Sequence, residues 1–217
     1  SGLFLVLFLL FHMSMNLAAV FSTEAYNAIC EFLGANWYAL AGTLILAAGV
    51  VVHLVYATVL TLHNRSSRGS QRYAMTAEPE GVTWASRNMY VLGIIIVLGL
   101  LLHLYNFWYN MQFAEIIGNH ELGPFPPADG AAYIAALFSS PVYCIIYLVW
   151  FAAIWFHLTH GFWSAFHTIG WDNQTWLPRL KRIANVVATI VFLCFALVVI
   201  VFYLRSLGVC GGSCAGF

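Results

Sequence analysis

Five stretches of this chain contain no Asp, Glu, Lys or Arg: about 3–21, 37–63, 89–113, 133–168 and 183–204. A helix that crosses a bilayer needs roughly 20 consecutive apolar residues, and each stretch supplies them. The pattern predicts an all-α integral membrane bundle of five transmembrane helices, forming one domain over residues 1–217. The fourth stretch is longer than one crossing requires. Its opening is expected to lie at the interface, with Pro141 in the first turn of the membrane helix, where a missing N–H costs nothing.

The polar segments between the runs set the expected orientation. Arg65, Arg68, Arg72 and Arg87 lie between the second and third runs, and Arg179, Lys181 and Arg182 between the fourth and fifth. Arg205, near the C-terminal end, is the eighth basic residue. The positive-inside rule assigns the side with seven of them to the cytoplasm. The N-terminus is then cytoplasmic and the C-terminus outside. Glu24, Glu31, Glu115, Glu121 and Asp129 fall on the outer side, and Trp37, Trp84, Trp108 and Tyr109 near helix ends, as interfacial anchors do.

Composition agrees with lipid as the main solvent. The chain is 62% hydrophobic and 7% charged, against about 25% charged in soluble domains. Formal net charge is zero, which gives no basic patch for nucleic acid. The opening Ser1-Gly2-Leu3-Phe4 shows neither the basic start nor the cleavage site of a signal peptide; the true N-terminus, with some basic residues, is expected to precede Ser1. Of five cysteines, none forms a CxxC pair or a CxxCH haem-attachment motif. Cys210 and Cys214 frame a Gly-Gly-Ser turn; they are either a disulfide, if that end meets an oxidising compartment, or two free thiols.

The candidate chemistry is in the histidines. His63, His120 and His167 fall at helix ends or in a loop and read as interfacial residues. His12, His53, His103 and His157 each sit inside one of the first four apolar runs. A polar side chain there is costly and usually functional, although a hydrogen bond to a neighbouring helix can also hold it. Their depths match. His12 and His103 each lie about 10 residues, or roughly 15 Å, before the outer end of their helices. His53 and His157 each lie a similar distance before the inner end. The outer pair is therefore His12 with His103, and the inner pair His53 with His157. Two facing imidazoles can bind one planar haem from both sides, making a centre suited to electron transfer. Two pairs at two depths would make a wire across the membrane. Gly42, Gly49, Gly93, Gly99 and Gly161 either give the macrocycles room or serve ordinary helix packing. His160 competes with His157; position alone does not separate them. The fifth run has no histidine and is expected to be a packing helix.

These residues resemble a known family. Leu10-Phe11-His12-Met13-Ser14-Met15-Asn16-Leu17, His53-Leu54-Val55-Tyr56, Ser86-Arg87-Asn88-Met89 followed by Gly93 and His103, and His157-Leu158-Thr159-His160-Gly161-Phe162-Trp163-Ser164 stand in the order found in one group of respiratory anchors. Over nearly its whole length the chain resembles the single-chain, five-helix, di-haem cytochrome b subunit of succinate dehydrogenases and fumarate reductases. The resemblance selects His157 over His160, because the ligand there stands four residues before the glycine. It implies two b haems, a quinone, menaquinone foremost, and two partners on the cytoplasmic face: a flavoprotein carrying the dicarboxylate site and an iron–sulfur subunit. Electrons from succinate would enter at the inner haem and leave from the outer one to quinone, in the membrane of a bacterial cell. Glu31, read as lying just before helix two, is the implied group for quinol protons, with Glu24 as the alternative. Arg87 is expected either to pair with haem propionates or to anchor the inner side. The family's glutamate two residues before the fourth ligand is replaced here by Trp155, so a proton route through that group is not expected.

Two other classes fit the pattern less well. Anchors of formate dehydrogenases or hydrogenases also carry membrane histidines, in a different order. A transporter using histidines as transient ligands would be expected to place carboxylates or broken helices at the midplane, and the five runs contain no acidic residue.

Overall fold

A computed structural model describes residues 1–34, 36–67, 83–171 and 173–209. Arg68, Arg72, Cys210 and Cys214 lie outside them. Helices are the regular elements of the described residues, with no strand among them. In chain order the helices are α1 (Gly2–Phe21), α2 (Thr23–Phe32), α3 (Trp37–Ser67), α4 (Trp84–Arg87), α5 (Met89–Ile116), α6 (Gly130–Phe138), α7 (Pro141–Thr168) and α8 (Trp176–Ser206). Five of these, α1, α3, α5, α7 and α8, are long and apolar enough to cross a membrane. The chain is a multi-pass membrane protein by that measure.

The membrane helices outrun the charge-free stretches. α3 continues to Ser67 rather than 63, α5 to Ile116 rather than 113, and α8 begins at Trp176 rather than 183. An absence of charge marks the part of a helix that meets hydrocarbon, whereas the backbone stays helical into the interface, where long basic side chains reach water. Arg65 accordingly lies in the last turn of α3, and Arg179, Lys181 and Arg182 lie in the opening turns of α8. Pro178 is in the first turn of α8, where it does not break the helix. The fourth run divides as the sequence suggests: α6 stops at Phe138, and Pro141 opens α7 at its first position.

One element is new. The segment after α1 is a helix, α2, and not a loop. Ser22 caps it by accepting a hydrogen bond from the Ala25 N–H at 3.1 Å. Its one buried residue is Tyr26. Glu31 therefore lies in the last turn of α2, not in a loop before the second membrane helix. Asn27 joins α2 to α6: its amide donates to Asp129 Oδ1 at 2.7 Å, and its oxygen accepts from the Ala131 N–H at 2.9 Å. Asp129 in turn caps α6 through the Ala132 N–H.

The core lies between α7 and α8, with α1 and α6 against them. α8 brings nine buried residues, including Ala184 and Ala188, which let it approach its neighbours closely. None of the 31 residues of α3 is buried. α8 is thus the packing helix, and α3 stands at the periphery. Arg205 near the end of α8 donates to the Val20 carbonyl at 2.8 Å, satisfying an open acceptor at the C-terminus of α1. The C-terminal ends of α1 and α8 therefore share one face of the bundle. Gly118 closes α5 at φ +67° and Gly170 follows α7 at φ +91°, backbone states that glycine adopts without strain.

Candidate functional site

The bundle brings the four membrane histidines together as two pairs. His12 of α1 faces His103 of α5, with ring centres 5.7 Å apart and planes at 86°. His53 of α3 faces His157 of α7, with ring centres 6.2 Å apart and planes at 71°. Two imidazoles on one metal, with bonds of about 2.0 Å, have ring centres about 6 Å apart. The spacing of each pair fits a shared metal as well as ordinary ring packing, and each pair joins two different helices.

The pairs occupy different depths. His53 Nδ1 is 3.4 Å from the hydroxyl of Ser1, at the start of α1. His12 lies about three turns further along α1, beside Phe8 at 5.4 Å and Phe195 of α8 at 6.0 Å. His103 is surrounded by Phe107, Trp150 and Tyr147, at 5.1, 5.7 and 6.4 Å. These aromatic rings cover one side of the outer pair. The Nδ1 atoms of His103, His157 and His160 are buried without a hydrogen-bond partner, so this feature does not separate His157 from His160. Such orphaned polar atoms are uncommon in buried positions, so internal hydrogen bonding does not account for His103, His157 or His160.

Among the described residues no three His, Cys, Asp or Glu side chains converge as a metal site. A pair of imidazoles leaves most of a metal's coordination sphere to other donors. A planar four-nitrogen macrocycle supplies those donors, so the donor set fits haem better than a bare metal ion. His160 makes no ring contact with another histidine among the described residues. Its ring packs on Trp163 at 4.8 Å, and Lys181 lies over the same indole at 4.7 Å.

The glycines divide. A Cβ at Gly99 would run into the indole of Trp150, and one at Gly49 would meet Phe4 at 2.7 Å, so both serve close packing. At Gly42 and Gly93 nothing lies within 4 Å. A Cβ at Gly161 would meet His157 Cδ2 at 3.8 Å, which places Gly161 beside the inner pair.

The remaining candidates lie at the two ends. Arg87 is the last residue of α4, a short helix whose Trp84 packs on Phe156 of α7 at 5.2 Å, next to His157 in sequence. Glu24 and Glu31 are exposed and line a shallow cleft of roughly 380 Å³ with Asn27, Ala28, Pro126, Ala128 and Asp129. The Glu24 carboxyl is held below its ordinary pKa by its own backbone N–H and then by the Ser22 hydroxyl, which weakens it as a proton acceptor. Trp155, where the resemblance would place a glutamate, donates to Thr189 Oγ1 of α8 at 3.0 Å. That position is spent on helix packing.

Two features escaped the sequence. From Leu104 to Phe113, immediately after His103, α5 widens into a π-helix, a form that recurs at functional sites. The Asn110 amide donates to the carbonyls of both Tyr105 and Asn106 within this stretch, at 2.9 and 3.1 Å. The second is Asn16, one turn after His12, whose amide nitrogen lies 3.4–3.5 Å from both His12 ring nitrogens. An asparagine inside an apolar run one turn from a histidine was the available signal. No protein-family model, no curated protein and no solved structure matches this chain.

Proposed function

We propose that this chain is the membrane-anchor and electron-transfer subunit of a succinate:quinone oxidoreductase. The observation that carries the proposal is the pairing of His12 with His103 and of His53 with His157, on four helices and at two depths. Each haem, when bound, would supply an iron that gains and loses one electron. His12 and His103 would hold the outer haem, and His53 and His157 the inner one. A haem held by two histidines would supply one-electron transfer and not ligand activation. Phe107, Tyr147 and Trp150 cover one side of the outer pair. Arg87 is the residue assigned to the propionates of the inner haem. Glu31 is the carboxylate assigned to quinol protons, in the cleft at the other end.

The basic end, with Arg65, Arg87, Arg179, Lys181 and Arg182, faces the cytoplasm by the positive-inside rule. It is the docking face for an iron–sulfur subunit and, beyond it, a flavoprotein that carries the dicarboxylate chemistry. The N-terminus is then inside and the C-terminus outside, in a bacterial cytoplasmic membrane, with menaquinone or another quinone as the electron partner. The motif order around His12, Arg87 and His157 supports succinate over formate or hydrogen as the ultimate donor.

The test uses the intact complex isolated from membranes through a tag on this chain. Succinate should reduce bound b-type haem and a water-soluble quinone, and formate and hydrogen should do neither. Reduction by formate or hydrogen with none by succinate would move the chain to another class of quinone-linked anchor.

A further inference from the structure

We propose that Gln112 of α5 is a positioning residue for the inner pair: by gripping the start of α3 it sets where His53 stands against His157. The inference rests on the haem reading above. It adds a control group that lies toward the other end of the bundle from the pair it controls.

α3 is held unlike the other membrane helices. None of its 31 residues is buried, whereas the other four each bury at least one. Lipid is as apolar as the side chains of α3, so burial does not fix its rotation or its height. Gly49 packs on the Phe4 ring of α1, which sets how closely those two helices approach. Among the described residues, the side-chain hydrogen bond that joins α3 to another membrane helix runs from the Thr43 hydroxyl to Gln112 Oε1, at 2.9 Å. The same oxygen accepts from the Trp108 indole N–H at 2.8 Å. The amide nitrogen donates to the Gly34 carbonyl at 3.1 Å, between α2 and α3. These partners fix the amide's orientation. A flipped amide would set its N–H against the Trp108 N–H and its oxygen against the Gly34 carbonyl. An amide in an apolar run is costly unless its polar atoms are satisfied, and here both ends of it are engaged. One side chain thus grips α3 just before its first turn, at Gly34, and in its second turn, at Thr43.

The grip acts at a distance because a helix is stiff along its axis. His53 lies ten residues beyond Thr43, or about 15 Å. A slide or rotation of α3 at Thr43 therefore arrives at the His53 ring, which faces the His157 ring at 6.2 Å. Gln112 is nine residues beyond the outer ligand His103 on the same helix. It lies within the π-helical stretch, whose wider turns shift its bearing relative to an α-helix continued from His103. The helix that carries an outer ligand thus holds the helix that carries an inner one. The controlled centre is the far one, which separates this role from local packing: damage confined to the end of α5 would reach His103 first.

Thr43→Val, Thr43→Ser and Gln112→Leu would be made in the whole complex. Haem per chain reads occupancy, low-temperature electron paramagnetic resonance reads the relative orientation of each centre's axial rings, and redox titration reads its potential. His12→Ala and His53→Ala would assign the signals to the two centres. Thr43→Val keeps the shape of the side chain and removes the donor. It should shift the inner centre's g value and midpoint potential, or lower its haem content, with the outer centre at wild-type values. Gln112→Leu should do the same to a larger extent. Thr43→Ser keeps the hydroxyl and should match wild type. Wild-type inner values in Thr43→Val, an outer centre that moves as much as the inner one, or a Thr43→Ser variant that behaves as Thr43→Val does would each overturn the inference. Should Gln112→Leu fail to assemble, the two Thr43 variants decide alone. Wild-type protein with no haem would instead remove the functional reading, and this inference with it.

Discussion

His12→Ala and His103→Ala are expected to abolish the same one of two haem signals, and His53→Ala and His157→Ala the other. Loss of one axial ligand leaves an iron held from a single side and facing an alanine cavity. The expected result is loss of that haem, or its conversion to a high-spin, ligand-binding form, while the second centre keeps its spectrum. His160→Ala should retain both haems, because its ring packs on Trp163 and is paired with no other histidine. The check is haem content and the low-temperature spectrum of each variant. Loss of one common signal in His12→Ala and His53→Ala would contradict the pairing.

Gly99→Leu should be the most damaging change away from the ligands. Even a Cβ at that position overlaps the Trp150 indole, which donates to the Ile96 carbonyl at 3.1 Å and packs on the His103 ring. Overpacking a helix interface costs about 1–3 kcal/mol. Displacing Trp150 would also open the lining of the outer pair. The expected outcome is a lower thermal midpoint in detergent together with partial loss of the outer haem and retention of the inner. Gly93→Ala, with nothing within 4 Å of the new methyl group, should match wild type in both measurements. Equal behaviour of the two variants would show that the Trp150 contact does not hold His103.

The membrane helices and the histidine pairs could be read from the sequence for one physical reason. Hydrocarbon tolerates few charges and only fully hydrogen-bonded backbone, so apolar length reports helices and position along a helix reports depth. His12, His53, His103 and His157 could therefore be paired by counting. The same logic misplaced the helix ends, because Arg179, Lys181 and Arg182 are compatible with a helix once it reaches water. α2 was hidden because it carries Glu24 and Glu31 and resembles a polar connection, although its Ser22 cap and buried Tyr26 hold it against the bundle. With α2 read as a loop, the hydrogen bond from the Tyr26 hydroxyl to Asn16 could not be foreseen. The π-helix after His103 was equally hidden, because it depends on how α5 packs and not on any single residue type.

The most direct test is the dithionite-reduced minus air-oxidised spectrum of the purified protein, with haem per chain counted as the pyridine haemochrome. The pairing of four histidines at two depths predicts two b haems per chain. Folded protein, prepared with haem in excess, that carries none would contradict an electron-transfer role and return the histidines to packing.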